Sequence, residues 1–312
     1  MSQALTEKRR IRQSVGDRVF GWIIYSVLAL FVIAELYPLV YVVSASFTDP
    51  KAITSGEMIL WPVRPTLQGY QYIFNYKEIW TGYANTLFYT VVGTVVNLVV
   101  TLPAAYALSR RDFKDKTILM LFFMFTMYFS GGLIPAYLNI HKLGMLNTVW
   151  VMIIAGPLSV YNMIVARTFF ANSIPWELHE AARIDGAGNF RTFFNIVLPL
   201  SSPIIVVLTL YYGVGHWNAY FNAMIYLAKA RNLWPLQMFL RDILIKGQFA
   251  SSVLMEADGL TPEQIQALMQ EADTANMVKF CVIIASTLPM MIIYPWLQKF
   301  FAKGVMIGSV KG

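Results

Sequence analysis

The sequence predicts an all-α, polytopic membrane protein with six transmembrane helices. Three observations carry this. Only 13% of the 312 residues are charged, against about a quarter in soluble domains, and the mean hydropathy is +0.54. Six segments hold the roughly 20 apolar residues that a helix needs to cross hydrocarbon. The basic residues fall at the ends of those segments, in every second loop.

The first span is predicted over 19–46, with Glu35 inside and Pro38 as a kink. Lys8, Arg9, Arg10 and Arg12 precede it, in the manner of a signal peptide. The apolar run of 29 residues from Val19 to Phe47 is far longer than the roughly 7–15 of a signal core, so a retained helix is expected. The second span is 83–108, with Gly93, Asn97 and Pro103 inside, and the third is 118–138. The fourth is 148–169, the fifth 198–227 and the sixth 278–300. Pro, Gly and Asn inside spans require neighbouring helices or water to satisfy the freed backbone groups, so a packed bundle lining a cavity is expected.

Orientation follows from Lys and Arg. The tail 1–18, the loop carrying Arg110, Arg111, Lys114 and Lys116, the loop carrying Arg183 and Arg191, and the tail 303–312 all lie on one side of a six-span chain. Positive residues mark that side as cytoplasmic, which puts both termini inside and residues 19–302 in the membrane domain. Segments 49–82 and 228–276 then lie outside. In the second of these, 236–245 reads as a short amphipathic helix. Thr261-Pro262-Glu263-Gln264 reads as the capped start of another helix, over 262–271.

Several classes are excluded. The single cysteine, Cys281, cannot form an intramolecular disulfide, and no Cys/His group has metal-ligand spacing. The net charge of +7 is explained by membrane orientation, so no nucleic-acid partner is expected. No G-x-x-x-x-G-K-[ST] phosphate loop is present, and no nucleophile–base pair is legible at membrane depth. An intramembrane enzyme is therefore disfavoured, and no catalytic or metal residue is assigned. An ion-coupled secondary transporter would need acids in its path, and Glu35 alone offers itself. Glu35 could face a cavity or be satisfied structurally, with Tyr37 and Tyr41 close by in sequence.

The loop 171–197 holds the informative run. Glu180-Ala181-Ala182-Arg183-Ile184-Asp185-Gly186 is followed by nine residues and then Ile196-Val197-Leu198-Pro199. Pro175 and Glu177 suit a helix N-terminus. Leu178, Ala181 and Ala182 share a helix face, and the paired alanines offer a low-profile surface to another protein. Gly186 and Gly188 would end the helix, Asn189 would cap a second one, and Leu198-Pro199 would open span five.

This loop resembles the coupling helix of permease subunits in binding-protein-dependent ABC importers of the carbohydrate-uptake family. The residues that match are Glu180, Ala181, Ala182, Asp185, Gly186, Ala187, Ile196, Leu198 and Pro199. The six-span layout, Trp217-Asn218 in span five and the tail Gly308-Ser309-Val310-Lys311-Gly312 agree with it. The resemblance implies a type I importer permease fold in the bacterial cytoplasmic membrane. The implied partners are an ABC ATPase homodimer, a second homologous permease and an external solute-binding protein. It also implies that ATP and Mg are bound by the ATPase, with no cofactor in this chain, and that the coupling helix and the tail contact the ATPase. The implied cargo is a sugar, and the length of 240–275 points to the branch that handles polysaccharide fragments. An ABC permease for another small solute is the alternative.

Trp217, Asn218, Tyr220 and Asn222, with Asn97, form a candidate substrate path. Aromatic faces and amides suit a carbohydrate, and the same residue types also serve helix packing.

Overall fold

The structure is a computed structural model. It describes the backbone of residues 14–255 and 261–308, and the side chains of these apart from residues 54 and 296–308. Every named element among the described residues is helical.

Helix α1 (Val15–Ser46) opens with a capping box. The N–H of Asp17 donates to the Ser14 hydroxyl, and the N–H of Ser14 donates to the Asp17 carboxylate. The helix is unbroken through Pro38. None of its apolar stretch is buried by the rest of the chain. Glu35 is exposed on it, and the described residues offer Glu35 no hydrogen-bond partner. Tyr41 turns its ring edge to Phe280 instead, with centroids 5.9 Å apart. Short helices α2 (Pro50–Thr54) and α3 (Gln68–Asn75) lead to α4 (Lys77–Ser109), the central helix of the bundle.

The segments predicted as spans three to five are broken, where continuous helices were expected. The third is α5 (Lys116–Tyr128) followed by α6 (Leu133–Lys142), bent by 110°. Gly132 takes φ +84° at the corner, a conformation that glycine adopts without steric penalty. The fourth is α7 (Trp150–Ile154) and α8 (Val160–Ser173), separated where Gly156 has φ +85° and Pro157 lacks an N–H. The loop then carries α9 (Trp176–Ile184) and α10 (Asn189–Thr192), a π-helical turn over Phe193–Val197, and α11 (Leu198–Leu200). Pro199 cannot donate to the carbonyl of Asn195, and the ladder just before it shifts to a wider bond from Leu198 N–H to the Phe193 carbonyl. Leu198-Pro199 therefore opens only the short helix α11. The chain bends by 82° first, and α12 (Ser202–Trp217) begins beyond Ser201.

Helix α13 (Phe221–Tyr226) and a 3₁₀ turn lead to α14 (Leu236–Met255), twice the predicted length at 20 residues. Helix α15 (Pro262–Gly308) runs 47 residues without a break, so the predicted helix at 262–271 and span six are one element. Its predicted capping box is present: Thr261 N–H donates to the Gln264 side chain, and Gln264 N–H to the Thr261 hydroxyl. Three helices (α1, α4 and the described apolar part of α15) are each long and apolar enough to cross a membrane. Counting the bent pairs α5–α6 and α10–α12 as single spans gives five.

Two apolar clusters fill the bundle. One holds Ile79, Tyr89, Val151, Phe239 and Val278 at the α14 end. The other holds Leu102, Ala105, Phe170, Phe193 and Leu208 at the α9 end.

Candidate functional site

Helix α9 ends in a Schellman motif. Ala187 N–H donates to the Ala182 carbonyl at 2.8 Å, and Gly186 N–H to the Arg183 carbonyl at 3.1 Å. Gly186, at φ +73°, makes the reversal. Gly188 has an ordinary negative φ and takes the N-cap position of α10, so Asn189 is the first helical residue and caps nothing. The paired alanines divide: Ala182 is 3% exposed against the bundle, while Ala181 is open. Glu180 and Asp185 are exposed, and Ala187 and Ile196 are half-buried. Leu198 packs on the nearby core, and Pro199 is exposed. Beside these matched residues, two large apolar side chains stand in the open, Ile184 at 86% and Phe190 at 83% exposure.

The loop is stapled to the end of α4 by contacts the sequence did not foretell. His179 stacks between Trp176, with centroids 5.0 Å apart, and Tyr106 at 5.8 Å. The Arg110 guanidinium lies 5.6 Å from the Trp176 ring centroid and donates to the Tyr106 hydroxyl at 2.8 Å. It is held by a two-pronged pairing with Asp112 at 2.8 and 2.5 Å. Burial and then the Arg110 charge hold the His179 imidazole below its ordinary range, against smaller opposing pulls from the Pro175 backbone and Asp112. No local pattern signals this, because Trp176 and His179 lie far from Tyr106 and Arg110 in sequence.

Between the two apolar clusters runs a polar ladder. Asn97 donates its amide N–H to the Pro157 carbonyl at 2.6 Å, and its amide oxygen lies 2.6 Å from His216 Nε2. One turn along α4, Thr101 shares a 2.7 Å bond with the Tyr212 hydroxyl, which also accepts from Ser159 N–H at 3.2 Å. Asn97 is thus buried and bonded at both its amide nitrogen and its amide oxygen, apart from the other candidate path residues.

Those others gather at the far end of α12. Trp217 is buried and donates to the Ser286 carbonyl at 2.9 Å. Trp217 and Asn218 line a cleft of about 410 Å³ between α12 and α15, with Gln237 and Tyr294. Tyr220 lines an adjoining cleft of about 420 Å³ with Gln237 and Arg241. Asn222 is exposed and lines neither. Among the described residues no His/Cys/Asp/Glu group could hold a metal ion. In the tail, Gly308 closes α15, and Ser309 to Gly312 lie outside the described residues.

Residues 78–307 match the family described as the binding-protein-dependent transport system inner membrane component. The chain belongs to that family. It is 38% identical over 296 residues to the polygalacturonan/rhamnogalacturonan transport system permease protein YtcP of Bacillus subtilis (strain 168), covering 95% of this chain and 99% of that one. It is 36% identical to protein LplC of the same organism, over 89% of this chain and 90% of LplC. Its fold superposes with a TM-score of 0.79 and 33% identity on a chain from the crystal structure of a bacterial ABC transporter involved in the import of the acidic polysaccharide alginate, covering 93% of this chain and 99% of that chain. This is an all-helical ABC permease fold.

Proposed function

We propose that this permease is the transmembrane subunit of an ATP-driven importer of oligosaccharides or polysaccharide fragments. It crosses the bacterial cytoplasmic membrane six times, through α1, α4, α5–α6, α7–α8, α12 and α15, with both termini inside. A second homologous permease completes the path, an ABC ATPase homodimer binds ATP and Mg, and an external binding protein delivers cargo. The chain is non-catalytic. The exposed apolar face of α1 meets lipid and the second permease.

The observation that carries the reading is the loop around α9. Glu180, Asp185 and Gly186 are displayed on a capped helix. Ile184 and Phe190 are held open beside them, where water would otherwise penalise about 25 cal/mol per Å² of apolar surface. A rigid apolar knob stapled to the central helix is what a partner's groove needs in order to pull on the bundle. The tail Gly308–Gly312 is a second contact to the ATPase. Trp217, Asn218 and Tyr220 line the sugar path, with Asn97 acting as a packing residue of the bundle.

The test is co-purification from the native membrane in mild detergent. The wild type should bring down an ATPase and a second permease. Gly186→Pro forces φ to about −65° where +73° is required and removes the bond to Arg183, so it should lose the ATPase while keeping the second permease. Recovery of the chain alone, with sugar uptake indifferent to ATP depletion, would refute the reading.

A further inference from the structure

The two adjoining clefts extend into a third. The cleft beside Trp217 and the one beside Tyr220 share Gln237 and Ser286. The latter shares Leu244 and Gln248 with a cleft of about 290 Å³ lined by Lys279. The result is one groove, from the span-five end to the outer part of the α14–α15 hairpin.

Its cations are unusual. Arg241 lies in the middle cleft and Lys279 in the outer one. Among the described residues neither makes an ion pair. Each sits over a ring instead, the Arg241 guanidinium 5.9 Å from the Tyr220 centroid and the Lys279 ammonium 5.3 Å from that of Phe280. The opposite face of α14 differs. There Arg231 and Lys246 both pair with Asp242 at 3.2 Å, and Glu271 lines the same hollow as Asp242 and Lys246. One face neutralises its charges internally, while the other keeps two cations for something else. Amides flank Arg241, Gln237 on the side of the Trp217 cleft and Gln248 on the side of the Lys279 cleft. Cation, amide and aromatic face together suit an anionic sugar, because guanidinium and ammonium bind carboxylate through charge-assisted hydrogen bonds.

We propose that this groove binds the carboxylates of a uronate oligosaccharide, with Arg241 and Lys279 as its two cationic subsites. The inference rests on the sugar-permease reading and narrows its cargo to acidic sugars.

The test uses the assembled transporter in zwitterionic nanodiscs, without its binding protein. The probes are tetragalacturonate and its neutral methyl ester, with affinities measured by calorimetry. The wild type should bind the acid more tightly than the ester, by a margin that shrinks as salt screens the charges. Arg241→Gln should weaken acid binding about tenfold, the scale of one charge-assisted hydrogen bond, and leave the ester unchanged. Arg241→Lys should keep part of the preference, and the double variant with Lys279→Gln should lose it. Equal loss for acid and ester would make Arg241 a packing residue and overturn the inference, as would an unchanged preference in both variants. A preference abolished by adding anionic lipid would assign the groove to headgroups, again overturning it. A wild type that binds neither probe also overturns it. ATP-driven uptake of a neutral oligosaccharide by the same transporter sealed in liposomes, with its binding protein added, would then leave the broader sugar-permease reading standing.

Discussion

Asn97 donates its side-chain N–H to the carbonyl of Pro157 at 2.6 Å, so the central helix closes the break in span four. That carbonyl lies between α7 and α8, where no helical N–H reaches it. In hydrocarbon an unpaired backbone group costs several kcal/mol. The same amide reaches His216 on α12, so a single buried side chain ties α4, the α7–α8 break and α12 together.

Asn97→Leu should therefore destabilise the assembled permease by about 1–3 kcal/mol for each polar group left unpaired. The effect should appear as a lowered thermal midpoint in detergent. A midpoint equal to wild type would mean that water or a rearranged helix replaces the amide.

A second prediction concerns the outer hairpin. Gly247 of α14 faces Ala275 of α15 so closely that an added Cβ would overlap the alanine methyl. Both residues are buried or lie against buried neighbours, so the helices cannot part without opening that seam. Gly247→Val should speed proteolysis near residue 255 while the spanning helices remain protected. Resistance equal to wild type would show that the hairpin does not depend on this close approach.

The third prediction is a pH effect on the loop staple. The folded His179 has a lowered imidazole pKa, so the unfolded chain binds the proton more readily. The stability contributed by the neutral ring is present above its ordinary pKa of about 6.5 and is lost as pH falls through the lower folded value. Protonation would set His179⁺ against Arg110 and Trp176, with Asp112 opposing part of the cost. Wild-type permease should lose more thermal stability than His179→Gln between neutral and mildly acidic pH. Identical slopes for the two would show that the imidazole titrates without consequence.

The legible parts of this protein were those written in local chemistry. Residues 261–264 read as a helix start because Thr261 and Gln264 bond neighbouring N–H groups and Pro262 needs none. The reversal at Gly186 was placed correctly, whereas Gly188 and Asn189 were misassigned. A glycine code letter does not say whether its φ will be positive, and the bond from Ala187 to Ala182 needs only one such residue.

The sequence by itself determined that the chain is helical, membrane-embedded and built around a matched loop, because hydropathy, charge position and motif spacing are properties of the linear order. The tertiary structure alone decided which of those residues meet. The splitting of spans three, four and five depends on whether neighbours such as Asn97 and Tyr212 are there to satisfy the broken backbone. The burial of Ala182 and exposure of Ala181 depend on which side of α9 the bundle occupies. The stack of Tyr106, His179 and Trp176 under Arg110, and the lack of an ion pair at Arg241 among the described residues, each depend on groups distant in sequence. Such contacts follow from how helices pack, and no local pattern encodes them.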